Sequence, residues 1–395
     1  MIGISRLYLG KEKWGDKLRY GEDKDASAPS VKPLSVFEKK PIVVWNVSQR
    51  CNLRCIHCYS DSDGCAGEND LTTEEGKKLI DDCVAFGCPV LLFSGGEPLM
   101  RPDVPDLIDY ASGKGIRVVI STNGTLIDDA MAKRLKNGSV SYVGVSLDGA
   151  EQTHDGFRRS KGAYKAAIEG IRACKRAGLK TGLRFTITKR NAADIPSIFE
   201  CALAEDVPRV CFYHLVYTGR GKLRMEDTMP IAETRRVVDY IIDRTAQINK
   251  EGRDLEVLTV DNHCDGPYLY LRMKKENHAQ AKQARALLEK NGGNSSGVAI
   301  SCVSWDGTVY PDQFWRHYPL GNVRQRPFGD IWTDLSDPFF KKLKEKKNHV
   351  KGRCSTCRFL EMCGGNFRVR AEAMTGDVWA PDPACYLTDE EIKKE

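Results

Sequence analysis

The chain predicts an α/β fold, a partial (βα)6 TIM-type barrel with a small cysteine-rich domain behind it. Three observations carry that reading. Apolar runs at 42–47, 89–93, 116–121, 140–146, 181–188 and 209–215 alternate with helical patterns at 73–86, 104–114, 127–136, 161–177 and 193–205, and strands alternating with helices build a parallel sheet. Polar, glycine-containing segments follow the strand ends, where such barrels gather their chemistry. After about residue 225 the alternation stops, and cysteines cluster again in the last hundred residues.

Taken in order, residues 1–40 are polar with scattered Gly and Pro, an N-terminal extension with one short amphipathic piece at 4–9. The barrel is expected over 41–225, connecting helices and a lid or linker over 226–297, and the C-terminal domain over 298–395. The first strand runs into Cys51-Asn52-Leu53-Arg54-Cys55-Ile56-His57-Cys58. Three thiolates at this spacing supply three ligands, one short of a closed four-iron cubane, so one iron would stay open. A structural zinc site needs a fourth ligand at short range, and His57 is wedged inside the loop.

The first helix is preceded by Thr72-x-x-Glu75, a capping box. After the second strand comes Ser94-Gly95-Gly96-Glu97-Pro98. Paired glycines let backbone approach a ligand closely, although they also make ordinary turns. Thr122-Asn123-Gly124 and Ser146-Leu147-Asp148-Gly149 close the third and fourth strands, and the fifth carries Arg184. Asn-Gly and Asp-Gly suit turns equally well. The sixth strand leads to Thr218-Gly219-Arg220-Gly221.

Beyond it, a helix at 231–249 precedes the polar loop Asp261-Asn262-His263-Cys264-Asp265. A Lys- and Gln-rich helical stretch (274–290) runs into a glycine–serine segment, 291–297, which reads as a mobile loop, a lid or a linker. Asp306-Gly307 marks a hairpin turn after Cys302. Cys354, Cys357, Cys363 and Cys385 follow, four thiolates that fit zinc or a [4Fe–4S] cluster equally by count. Cys83, Cys174 and Cys201 sit at helical spacing with apolar neighbours and read as core.

The 395 residues have a net charge of +6 and 15 cysteines. So mild a positive balance does not argue for nucleic acid, and it suits a polyanionic small substrate. No apolar run has the length of a signal peptide or a membrane span, so the expected compartment is the reducing cytoplasm, where a disulfide framework is out of place.

CNLRCIHCY, with Tyr59 after the last cysteine, resembles the CxxxCxxC signature of the radical S-adenosylmethionine (SAM) enzymes. The resemblance implies a [4Fe–4S] cluster on Cys51, Cys55 and Cys58 whose open iron holds SAM. Reduction then cleaves SAM to a 5′-deoxyadenosyl radical. It further implies SAM contacts from Gly95, Gly96, Glu97 and Pro98, from Thr122, Asn123, Ser146 and Asp148, and from Arg184 to the SAM carboxylate. The later cysteines resemble the C-terminal half of a SPASM domain, implying one auxiliary [4Fe–4S] cluster on Cys354, Cys357, Cys363 and Cys385. The C-terminal part is then an iron–sulfur, SPASM/twitch-like domain. Asp312 and Phe367 stand where that family has cysteines, so Cys302 is left as a remnant or a substrate-facing thiol, with a second cluster using Cys264 less favoured.

ISRLYLG, LRYG, KPIVVWNVSQRCNLRCIHCYSDS and YPDQFWRHYPLGNVRQRPFGDIW resemble the tetrapyrrole-modifying branch of that family. The branch implies removal of acetate side chains from 12,18-didecarboxysiroheme to give Fe-coproporphyrin III, with an electron from a flavodoxin or ferredoxin. Two alternatives stay open: the haem d1 counterpart acting on propionates of the same macrocycle, and a peptide-modifying SPASM enzyme. Arg158 and Arg220 are candidates for substrate carboxylates, Cys302 and His263 for other substrate contacts. His214, His263 and His317 are candidates for the substrate iron, and Phe314, Trp315 and Tyr318 for its ring.

Overall fold

The computed structural model describes residues 1–21, 35–65, 67 and 69–393. Its strands are β1 (Ile2–Gly3), β2 (Ile42–Asn46), β3 (Val90–Ser94), β4 (Arg117–Thr122), β5 (Tyr142–Ser146), β6 (Thr181–Ile187), β7 (Arg209–His214), β8 (Glu256–Val260), β9 (Ile300–Val303), β10 (Thr308–Tyr310) and β11 (Gly321–Asn322). They form one sheet in the order β1-β8-β7-β6-β5-β4-β3-β2-β9-β10-β11. Strands β2 to β7 pair in parallel, each with the next, and are the barrel strands read from the sequence.

These segments fold as strands because they are apolar and rich in β-branched residues, which suits a sheet buried on both faces. Val43, Leu91, Ile120, Val143, Leu183 and Phe212 are fully buried between the sheet and its helices, while Val44, Leu92, Arg184 and Tyr213 point to the other face. Helices Thr73–Phe86, Val104–Gly113, Asp129–Asn137, Ala163–Arg176 and Ile195–Ala204 cover the outside. The first begins in the expected capping box, with Glu75 N donating to Thr72 Oγ1 at 3.2 Å and Thr72 N donating to Glu75 Oε2 at 2.8 Å. Cys83 and Cys174 are buried core residues and Cys201 is half-buried.

The sheet is wider than the alternation implied. β8 follows the helix Ile231–Lys250 and lies parallel to β7, and β1 closes that edge antiparallel. Residues 1–20 are therefore part of the barrel. Ile4 and Leu7 are buried, Tyr20 Oη accepts from Gly3 N at 2.8 Å, and Ser5 Oγ donates to Leu255 O at 3.0 Å. The rest of the expected extension, 22–34, lies outside the described residues. A helix at Glu151–Arg158, unread in the sequence, follows Asp148-Gly149.

Two further expectations are corrected. The polar stretch at 274–290 is two helices, Asp265–Lys275 and Ala281–Asn291, parted at Asn277, whose φ is +51°. The glycine–serine segment is a packed seam and no lid. Asn294 and Ser296 are buried, Lys344 Nζ donates to Gly297 O at 3.0 Å and Lys346 Nζ to Asn294 O at 3.2 Å. Gly293 has φ +76°, and a methyl group there would lie 2.0 Å from Cys363 O. Its small residues serve close passage, which composition alone cannot tell from mobility.

The C-terminal part starts inside the same sheet, since β9 pairs in parallel with β2 from Ile42↔Ile300 to Trp45↔Val303. Behind β9, Trp315, Phe367, Leu343 and Val369 form a second apolar core beside Val216. Deep within this part, Arg370 and Asp382 pair through two hydrogen bonds of 2.9 and 2.8 Å.

Candidate active site and auxiliary cysteine site

The cysteine loop leaves the C-terminal end of β2 and is pinned from two sides. Ile56 N donates to Phe157 O at 2.9 Å, tying the loop to the helix Glu151–Arg158. Arg220 N donates to Cys58 O at 2.9 Å and Arg220 Nε to Cys55 O at 2.7 Å. Each sulfur has a polar neighbour: Leu53 N donates to Cys51 Sγ at 3.4 Å, Arg158 Nη1 to Cys55 Sγ at 3.3 Å, and Ser60 Oγ lies 3.3 Å from Cys58 Sγ.

Burial pushes the Cys51 thiol up to about 12 and raises Cys55 too, although Arg158 opposes it there. Three thiols packed in a dry loop with donors aimed at them suit a cationic iron core, which would carry their thiolate charge.

The glycine pair of Ser94-Gly95-Gly96 serves the loop beside it. Gly96 N donates to Ser48 O at 2.8 Å, and a methyl group on Gly96 would lie 2.2 Å from Arg50 O. Glu97 is fully buried, its carboxylate accepting from Thr122 Oγ1 at 2.7 Å, Asn123 N at 2.7 Å and Leu99 N at 3.2 Å. Burial lifts this carboxyl to about 7 in spite of those donors. Glu97 braces the ends of β3 and β4 against each other.

A cavity opens at the C-terminal ends of the strands, with about 1130 Å³ free of protein atoms, open solvent included. Cys51, Cys55 and Cys58 form one wall. Of the residues expected to meet SAM, Gly95, Gly96, Thr122, Asn123, Ser146 and Arg184 line the cavity, and Glu97, Pro98 and Asp148 do not. Asp148 is buried behind the wall, 2.6 Å from Arg158 Nη2 and accepting from Thr186 N at 3.1 Å.

The candidate substrate residues fare differently. Arg158 reaches the cavity wall, but its guanidinium is taken up by Cys55 and Asp148. Arg220 is held by Cys55 O and, at 2.9 Å, by Asp61 Oδ1. Cys302 lies fully buried under Asn46, whose Nδ2 donates to its sulfur at 3.5 Å, and does not line the cavity. His263 is buried outside it, stacked on Phe367. Trp315 is core, and His317 is exposed with Nε2 2.7 Å from Glu372 Oε2. Phe314 does line the cavity, facing inward with Tyr213, His214, Asp261 and Gln313. Tyr213 was missed because it belongs to no motif, and only its place at a strand end could have found it; Asp261 and Gln313 fall in stretches the sequence singled out without being picked as cavity residues.

Cys354, Cys357, Cys363 and Cys385 come together in the C-terminal part, each close enough to the others for their charges to raise the Cys363 thiol, whose burial is the larger cause. A fifth cysteine joins them. Cys264 is fully buried beside Cys363 and Cys385, and its thiol donates to Asn262 Oδ1 at 3.1 Å. Asn366, at φ +61°, ties the Cys264 loop to this site: its Oδ1 accepts from His263 N at 2.6 Å and its Nδ2 donates to Asn262 Oδ1 at 2.7 Å.

A model of the radical SAM superfamily matches residues 45–202, and one of the SPASM iron–sulfur cluster-binding domain matches 298–358. The Fe-coproporphyrin III synthase of Methanosarcina barkeri is 56% identical over 395 residues, 99% of each chain. The chain belongs to the radical SAM superfamily. A second relative, the pre-heme d1 synthase of Dinoroseobacter shibae, is 41% identical over 353 residues, 88% of this chain and 87% of its own. Among solved structures, Streptococcus suis SuiB bound to S-adenosylmethionine has a TM-score of 0.70 at 18% identity, over 89% of this chain and 78% of its own. The structure of anSMEcpe with bound AdoMet has a TM-score of 0.69 at 20% identity, over 87% of this chain and 94% of its own. The fold is thus the radical SAM partial barrel with a SPASM domain behind it, and its cofactors are iron–sulfur clusters and SAM. No helix among the described residues is long and apolar enough to cross a membrane.

Proposed function

We propose that this radical SAM enzyme serves haem biosynthesis by removing the two acetate side chains of 12,18-didecarboxysiroheme, giving Fe-coproporphyrin III. The observation that carries the reading is the full-length likeness to a relative named for that product, joined to a cavity that the cysteines share with aromatic and polar side chains.

In this reading Cys51, Cys55 and Cys58 hold three irons of a cubane and leave the fourth for SAM. The backbone at Gly95 and Gly96 and the side chains of Thr122, Asn123, Ser146 and Arg184 orient SAM. Bound together, these groups supply a hydrogen-abstracting radical. The chain's own part is then geometric. Tyr213, Gln313 and Phe314 hold the macrocycle so that one side-chain carbon faces the SAM end, and they keep water from the radical. Two acetates require two rounds. Cys354, Cys357, Cys363 and Cys385 hold one auxiliary cluster, suited to take the surplus electron. The partners are a tetrapyrrole and a flavodoxin or ferredoxin, in the cytoplasm.

The test is an anaerobic assay of iron-reconstituted protein with SAM, dithionite and didecarboxysiroheme, read by mass spectrometry. Loss of two acetates with matching 5′-deoxyadenosine is expected. Change at the propionates would move the protein to the pre-heme d1 reaction, which the 41% relative keeps in view. SAM cleavage with an unchanged macrocycle would make a peptide the better substrate.

A further inference from the structure

We infer that His214 is the axial ligand that takes up the iron of the macrocycle, through Nδ1. The inference rests on the tetrapyrrole reading above and goes beyond it in naming the group that recognises the metal.

His214 ends β7 and lines the cavity, one strand away from Asp261 at the end of β8. Its Nε2 lies 3.0 Å from Asp265 Oδ2. Asp265 is fully buried and also accepts from Tyr386 Oη at 2.6 Å. Asp265 also opens the helix Asp265–Lys275, where a negative charge is favoured. An ionised carboxylate only accepts, so in the neutral imidazole the proton sits on Nε2 and Nδ1 carries the lone pair. Among the described residues Nδ1 has no hydrogen-bond partner.

A carboxylate that fixes one ring nitrogen while the other stays bare is the arrangement by which proteins prepare a histidine for a metal. The other histidines considered do not turn a bare nitrogen to the cavity. His263 is buried away from the cavity, and His317 is spent on Glu372 at the surface. His57 also has a carboxylate at Nε2, Asp148 at 3.4 Å, but its Nδ1 is buried and its ring packs edge-on to Phe157 within the cysteine loop. His214 lines the same cavity as those cysteines. A ring held there by its iron is fixed in tilt and distance, and only its side chains need reach toward SAM.

The test uses the reconstituted holoenzyme with SAM, titrated without reductant with ferric coproporphyrin III and, separately, with metal-free coproporphyrin III. Absorption and electron paramagnetic resonance report the iron. The unsubstituted protein is expected to give a nitrogen-ligated ferric spectrum. His214→Ala should lose it and bind the iron macrocycle about tenfold or more weakly, with added imidazole restoring the spectrum and so reporting an intact site. Asp265→Asn should keep the ligand and shift the spectrum. Metal-free coproporphyrin should not distinguish His214→Ala from the unsubstituted protein. An unchanged iron spectrum and affinity in His214→Ala would overturn the inference and leave the substrate reading standing. Failure of the unsubstituted protein to bind either macrocycle would overturn both.

Discussion

Arg158 Nη1 donates to Cys55 Sγ over 3.3 Å while Nη2 of the same guanidinium sits 2.6 Å from Asp148 Oδ2. All three residues are buried, so a fixed positive charge is clamped against one sulfur of the cysteine loop. A cation beside a cluster ligand stabilises the extra electron of the reduced state.

Replacing Arg158 by Met is therefore expected to make the radical SAM cluster harder to reduce. A redox titration followed by electron paramagnetic resonance would show its potential moving to more negative values, with Lys restoring part of the shift. The same change leaves Asp148 buried without its partner, which typically costs about 3–5 kcal/mol. The Arg158→Met, Asp148→Asn pair should unfold at a higher temperature than Arg158→Met alone.

Glu97 predicts a pH dependence. Burial raises its carboxyl from 4.5 to about 7, so the folded protein binds this proton more tightly than the unfolded one. The resulting stabilisation is complete below about 4.5 and is lost as pH rises through about 7. Relative to Glu97→Gln, the unsubstituted protein should lose stability on the order of 3 kcal/mol across that window, measured as denaturant midpoints at several pH values. Parallel curves for the two proteins would show that another group titrates.

Cys264 adds a fifth thiol beside four expected ligands. Cys264→Ala should keep the full iron count per chain, since four thiolates still hold a cubane. Cys363→Ala should lower iron content by up to about four per chain. Iron and sulfide analysis with Mössbauer spectroscopy separates the two outcomes.

Gly293→Ala should act on the auxiliary site alone. A methyl group there meets Cys363 O at 2.0 Å, and the residue sits at φ +76°. Strain of this kind commonly costs more than about 1 kcal/mol. Reconstitution should give less auxiliary cluster while SAM cleavage by the first site persists.

What was legible in the sequence was local. The strands from Ile42 to His214 declare themselves through apolar runs between periodic helices, and the cysteine loop through its spacing. Hydrophobic periodicity needs length to speak, so the two-residue β1 was passed over; β8 is as long as β2, β3 or β5 and was passed over because the alternation was read as ending near residue 225, although both close one edge of the sheet. Arg158 and Arg220 were read as free for a substrate because a cation's partner is chosen by the tertiary fold. Their true partners, at Cys55 and Asp148, are up to 165 residues away in the chain. Glu97 was legible as part of a motif, yet its carboxylate works inward, on Thr122 and Asn123.

The pairing of β9 with β2 makes the two cysteine sites poor subjects for separation by truncation. A chain cut after residue 297 would bare the edge of β2 that β9 covers, from Ile42 to Trp45, directly beneath the loop that carries Cys51. An exposed strand edge of that kind recruits whatever strand it meets, so the isolated barrel would tend to self-associate. The C-terminal part thus acts as the cover of an otherwise adhesive margin, and grafting it onto another barrel would require a matching edge before any matching chemistry.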